Sequence, residues 1–274
     1  SKNRFTMHKS IFWIFAFFLL NCKEAPKDET LKNTSDDIEV ETARYPKELH
    51  QVFQSHGGLD LWKEQRYLTY EIPKNSGIER HLIDLYSRKD LVETDAYQMG
   101  YDGKEVWLLD PEGVYKGDPV FYHNLMFYFY AMPFVLADPG IEYFETEPLT
   151  FDGKTYPGIG IRYEDEIGTS PEDEYFLYYD PDTHLMAWLG YTVTYRTGKP
   201  SDDVHFIRYD DWISVDQLRL PGSMTWYEVE DGRPTNSRNT VDFQQVALSE
   251  TPADPSVFAM PDEAVVRKPV KPEN

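Results

Sequence analysis

From Arg66 onward the chain alternates apolar and polar residues with period two, and turn signals interrupt the alternation at short intervals. Side chains along a strand point to opposite faces in turn, so this pattern commits most of the chain to half-buried strands. Strands are expected near 67–72, 79–88, 91–98, 103–109, 142–149, 155–163, 174–180, 185–196, 203–214, 218–229 and 237–249. Asp102-Gly103, Asp152-Gly153 and Asp231-Gly232 supply the positive φ that tight hairpins need, and Asp180-Pro181-Asp182 marks a further turn. About eleven strands joined by short turns build one large, curved antiparallel sheet, which must close or be covered to protect its edges.

Helical spacing is confined to two places. Leu49, Val52, Phe53 and His56 recur at helical intervals, Gly57-Gly58 interrupts, and Leu59, Leu61 and Trp62 begin a second short piece. His56 is expected to cap or pack beside the Gly-Gly break rather than to bind a ligand. The second place, Asp118 to Gly140, is apolar on every face, so as a helix it must be buried all round. Asp118-Pro119 opens it and Pro133 ends or kinks it. His123, Asn124 and Pro133 break the run too often for a membrane span of about 20 apolar residues. It is expected to lie inside the curved sheet or across its mouth.

Ahead of this domain, Ile11 to Leu20 is an uncharged apolar run preceded by His8 and Lys9, with Met7 as the expected start and Ser1 to Thr6 as an extended or non-native leader. The run is too short to span a bilayer and has the build of a secretory signal. It ends in Leu19-Leu20-Asn21-Cys22, which resembles the bacterial lipobox, so Cys22 is the expected lipidation site and the membrane is an expected partner through that anchor. Cys22 is the only Cys in the chain, which excludes an intramolecular disulfide. The division expected is a signal peptide at 1–21, a lipidated polar tether at 22–43, and a single domain at 44–274.

A formal charge of −21, from 27 basic and 48 acidic residues, excludes nucleic acid as a partner and disfavours anionic lipid surfaces. No catalytic motif stands out. Gly168-Thr169-Ser170-Pro171 and Pro221-Gly222-Ser223-Met224 lack the nucleophile-elbow pattern. The acidic runs Glu164-Asp165-Glu166 and Glu172-Asp173-Glu174 lack a calcium-loop spacing and read as a solvated hairpin. His184 and His205, with Asp210-Asp211 near, do not form a zinc pattern. No catalytic residue, metal or cofactor is expected.

Several stretches resemble the outer-membrane lipoprotein-sorting carriers (LolA-like) of bacteria, in their bacteroidete relatives. They are His56-Gly57-Gly58-Leu59-Asp60-Leu61-Trp62, the run from Tyr101 to Pro111, the run from Tyr178 to Leu185, and the ending Val257-Phe258-Ala259-Met260-Pro261. Their order carries the resemblance, and the Met132 to Gly140 stretch sets the chain in a separate branch of unknown function. The resemblance implies an unclosed antiparallel β-barrel of about eleven strands, mainly β (α+β), with helices covering an apolar cavity. It implies an acyl chain or lipid as ligand, no enzymatic activity, and a place at the outer membrane on its periplasmic or surface face. The expected lining is Phe121, Leu125, Phe129, Met132, Phe134, Trp107 and Trp188. The competing class is an extracytoplasmic hydrolase or glycan-binding module in an aromatic-lined cleft.

Overall fold

The computed structural model describes residues 44–164, 173–193 and 203–269. Cys22, the signal and tether, and the 168–171 loop lie outside the described residues. Two helices come first, α1 (Lys47–Ser55) and α2 (Leu59–Glu64). Strands β1 (Tyr67–Lys74), β2 (Gly77–Asp84), β3 (Asp90–Glu93), β4 (Gln98–Tyr101) and β5 (Val106–Leu109) follow as a meander. The covering segment holds α3 (Pro119–Tyr122), α4 (Leu125–Tyr130) and a 3-10 turn, Phe134–Ala137. Next come β6 (Ile141–Glu145), a small ribbon of β7 (Leu149–Phe151) and β8 (Lys154–Tyr156), and β9 (Gly158–Tyr163). Then stand β10 (Glu174–Tyr179), β11 (Met186–Tyr191), β12 (His205–Val215), β13 (Leu218–Glu230) and β14 (Arg233–Asp242). The chain closes with β15 (Gln244–Ser249), a 3-10 turn at Pro255–Phe258, and β16 (Val265–Arg267).

Apart from the two-stranded β7–β8 ribbon, these strands form two seven-stranded antiparallel sheets, ordered β15-β1-β2-β3-β4-β5-β16 and β14-β13-β12-β11-β10-β9-β6. One residue, Phe243, separates β14 at the edge of the second sheet from β15 at the edge of the first. The two sheets are therefore successive parts of one bent surface, mainly β and not closed into a barrel. Phe243 is pinned at the bend by the rings of Tyr70, 5.3 Å away, and Tyr130, 4.6 Å away. Just past it, Gln245 takes a φ of 51° where the register of β15 on β1 slips, a bulge that sharpens the local twist.

Among the described residues sixteen strands stand where about eleven are expected along the chain, and the physical reasons are local. The 91–98 strand breaks because Thr94 Oγ1 accepts from the amides of Ala96 and Tyr97 and turns the chain. The 237–249 strand breaks at the Phe243 bend. The stretch 142–163 gains a ribbon because Asp152 and Gly153, at φ 53° and 76°, make a two-residue turn with both positions left-handed. Asp231 and Gly232, at 51° and 72°, do the same between β13 and β14.

The Gly57-Gly58 break has a packing cause. Gly57 has a φ of 109°, and a Cβ there would stand 2.7 Å from the Gln217 carbonyl oxygen. His56 beside it is fully buried. Its Nδ1–H donates to the Arg219 carbonyl at 3.1 Å, and its Nε2 accepts the Met186 amide at 3.0 Å. The ring therefore ties the end of α1 to β13 and β11 and must stay neutral to do so. Burial lowers its pKa to about 4 from 6.5, with the Arg219 charge adding to the effect. A depressed folded pKa means that this contribution is whole above about 6.5 and fades as pH falls to about 4. The full loss is ~3 kcal/mol. An NMR titration should show one histidine ring neutral down to about pH 4, whereas titration of every ring near 6.5 would contradict this.

A tyrosine-lined cleft between the covering segment and the second sheet

Asp118 to Gly140 is not one helix. Asp118 Oδ1 accepts the Val120 amide and Pro119 opens α3, but Asn124 interrupts before α4. Most of the segment is buried, as its composition requires, including Val120, Met126, Phe127, Tyr130 and Leu136. The correction is that one stripe stays partly open. Phe121, Leu125 and Tyr128 follow one another at helical spacing and are half-buried. They form one wall of a cleft of about 720 Å³, together with Phe129 and Met132. That volume lies in the range of small-molecule sites.

The opposite wall comes from the second sheet. Tyr163 ends β9, Tyr175 lies on β10, Tyr191 ends β11, and Trp226 lies on β13. Trp226 Nε1–H donates to the Tyr191 hydroxyl at 3.0 Å, and Phe129 meets both rings at 5.0 and 5.8 Å. Tyr163 and Tyr175 meet edge to face at 5.8 Å. Burial pushes the hydroxyl pKa of both upward. Thr192 holds the wall in place through a reciprocal bond, accepting the Glu174 amide on Oγ1 and donating its own amide to the Glu174 carbonyl.

The charged groups at this cleft are Arg88, Asp138 and Asp173. Arg88 Nη2 donates to Asp138 Oδ1 at 2.8 Å and Nε donates to the Leu85 carbonyl at 3.1 Å, with the guanidinium 5.1 Å from the Phe127 ring. Burial raises the Asp138 pKa, and the Arg88 charge and hydrogen bond oppose the rise. Arg88 has a φ of 61°, a left-handed conformation that costs ~1 kcal/mol and is held by these bonds.

Of the seven residues expected to line a cavity, Phe121, Leu125, Phe129 and Met132 stand on this wall. Three do not. Phe134 is core, stacked on Trp62 at 4.9 Å under α2. Trp107 packs with Leu91 and Phe258 on the outer face of the first sheet, beneath the Pro255–Phe258 turn. Trp188 packs with Leu149, Tyr156 and Phe206 on the outer face of the second sheet, roofed by the β7–β8 ribbon. Both tryptophans follow the alternation, but to the face away from the cleft. The tyrosine wall and the charged groups lie outside those seven residues. The abundance of tyrosine was the available signal, yet strand packing explains tyrosine equally well.

A second polar group lies deeper, on the inner face of the first sheet. Glu79 is fully buried and accepts from His81 Nε2 at 2.8 Å, Tyr122 Oη at 2.6 Å and Lys74 Nζ at 2.6 Å. Next to Tyr122 in sequence, His123 Nδ1 meets Asp90 Oδ2 at 2.7 Å. These residues lie under α3 and are not on the cleft wall. Among the described residues no group of three or more His, Cys, Asp or Glu is placed to hold a metal ion. His184 stacks on Tyr179 and His205 on Tyr191. No described helix is long and apolar enough to cross a membrane.

A family model matches residues 98–232. Its family is one of unknown function (DUF6503), and the matched stretch is just under half of the chain. No curated protein matches. Among solved structures, a DUF1329 family protein from Desulfovibrio piger is similar at 10% identity and a TM-score of 0.48, over 77% of this chain and 95% of its own. A LolA superfamily protein from Nitrosomonas europaea is similar at 9% identity and 0.47, over 76% and 96%. A putative outer membrane lipoprotein-sorting protein domain from Vibrio parahaemolyticus is similar at 8% identity and 0.33, over 74% and 97%.

Proposed function

We propose that this chain is a non-enzymatic binder of an apolar ligand, an acyl chain or lipid, and that it works at the outer membrane, anchored by lipid on Cys22. The observation that carries the reading is the cleft itself, about 720 Å³ with Phe121, Leu125, Phe129, Met132 and Trp226 on its walls. Methionine, with an unbranched and polarizable side chain, suits a pocket that adapts to ligand shape. The Glu79–His81 pair supports a structural part rather than a catalytic one, because it is sealed beneath α3.

Burying about ten methylenes contributes roughly 8 kcal/mol at ~0.8 kcal/mol each, before ordering costs. Titration with a fluorescent fatty acid or lysophospholipid is expected to saturate with a Kd in the micromolar range. Leu125→Trp, which fills the space, is expected to weaken binding about ten-fold or more. Absence of saturable binding by the wild-type chain would remove this function. The anchor has its own measurement: metabolic labelling with an acyl analogue should mark the wild type and not Cys22→Ser. Unlabelled wild type would sink the anchor and leave the cleft reading intact.

A further inference from the structure

The cleft lies between the covering segment and the second sheet. Toward the first sheet, the described side chains fill the interior. Tyr70 is fully buried there and stacks on Tyr130 at 4.5 Å, with Phe243 against both rings. Glu79, His81 and Asp90 occupy the space under α3, bonded to Tyr122 and His123. The first sheet therefore gives the cleft only Tyr86 and Arg88, from the loop between β2 and β3. The covering segment is also fixed in its distance from both sheets. Tyr209 on β12 donates from a buried position to the Phe129 carbonyl at 2.7 Å. Tyr122 and His123 hold α3 to the first sheet, and Arg88 holds Asp138 at 2.8 Å. Widening the cleft breaks one or more of these bonds and strands a buried polar group.

With the walls fixed, volume limits what enters. A methylene takes much the same space as a water molecule, about 30 Å³, so a cleft of about 720 Å³ holds roughly 24 such groups. One chain of about sixteen carbons fits with part of its head, whereas two such chains need roughly 1,000 Å³ and three roughly 1,400 Å³. A chain left in water forfeits the gain that burial supplies. We propose that the cleft takes lipids with a single long chain, such as lysolipids and free acyl chains, and rejects those with two or three. This rests on the cleft being a site for apolar chains, and adds to it the number of chains. The chain lies against Leu125, Phe129 and Met132, and its head leaves beside Tyr86, which is exposed.

The test is stoichiometry on the full chain, with lysophosphatidylcholines as probes below their micelle concentration. Native mass spectrometry is expected to show one palmitoyl lysolipid per chain at saturation. Affinity should rise about three-fold or more per methylene from the lauroyl to the palmitoyl probe, and level off near about twenty carbons, where the space is full. Leu125→Trp should weaken that one site and bring the levelling-off to shorter chains, which separates the cleft from binding elsewhere on the chain. Protein incubated with dipalmitoyl phosphatidylcholine vesicles and then separated from them should retain no diacyl lipid. Two or more lysolipids per chain, weakened together by Leu125→Trp, would overturn the single-chain limit and leave the apolar cleft standing. Retention of one diacyl lipid per chain would do the same. One lysolipid that Leu125→Trp does not disturb would place the site elsewhere and overturn the inference. Binding of no probe would overturn both readings.

Discussion

Glu79→Ala is expected to cost the fold about 3–5 kcal/mol, the usual result of removing one partner from a buried charged group. Glu79 has no exposed surface and accepts from four donors, Lys74, His81, Tyr122 and, at 3.5 Å, Tyr97. Lys74 is 38% exposed and finds water when released. His81 is 1% exposed and does not. Tyr122 would be left with its hydroxyl facing that same buried space. The loss also loosens α3, because Tyr122 and His123 are the two adjacent residues by which it reaches Glu79 and Asp90 on the first sheet. Urea denaturation should show a lower midpoint with an unchanged slope. A cost below about 1 kcal/mol would mean that the network is dispensable. The pH behaviour has a definite sign. Burial pushes the Glu79 carboxyl up, but bonds from His81, Lys74 and Tyr122 outweigh it and hold its pKa at about 2. Its contribution is therefore whole above 4.5, the ordinary value, and is lost as pH falls through about 2.

Phe129→Asp is expected to be comparably severe, at several kcal/mol, since it buries an unpaired charge. Phe129 is 5% exposed and packs against Tyr191 and Trp226. Its carbonyl accepts the hydroxyl of Tyr209, which is buried, at 2.7 Å. The substitution therefore strikes where α4 meets the second sheet. Phe129→Leu keeps the site apolar and should cost about 1.5 kcal/mol or less. Thermal melts of the two variants distinguish buried charge from lost volume. Equal melting temperatures would show that the site is wet enough to solvate a carboxylate.

Much of the local structure was legible because its causes lie within a few residues. Asp152-Gly153 and Asp231-Gly232 make tight turns because Gly tolerates left-handed φ and Asp tolerates it better than most. Asp118-Pro119 opens a helix because the aspartate oxygen satisfies a free amide and proline lacks one. The alternation from Arg66 made the chain mainly β with antiparallel neighbours, because side-chain direction along a strand has period two. Leu125 and Phe129 share a wall because they stand one turn apart on α4, whereas Phe121 on α3 and Met132 beyond α4 join them only in the folded chain.

What only the tertiary structure decided is which face of each strand looks inward. In β2 one face carries Glu79, His81 and Ile83 and the other Ile78, Arg80 and Leu82, so hydrophobicity does not choose between them. The charged pair went inside because Tyr122 and Lys74 arrive there to satisfy it. The outer faces are covered in part, by the β7–β8 ribbon over Trp188 and by the Pro255–Phe258 turn over Trp107, so both tryptophans are buried without facing the cleft. The cleft draws one wall from a single segment and the other from β9, β10, β11 and β13. Periodicity reports on neighbours in sequence, whereas that second wall exists only once strands far apart in the chain have paired in one register.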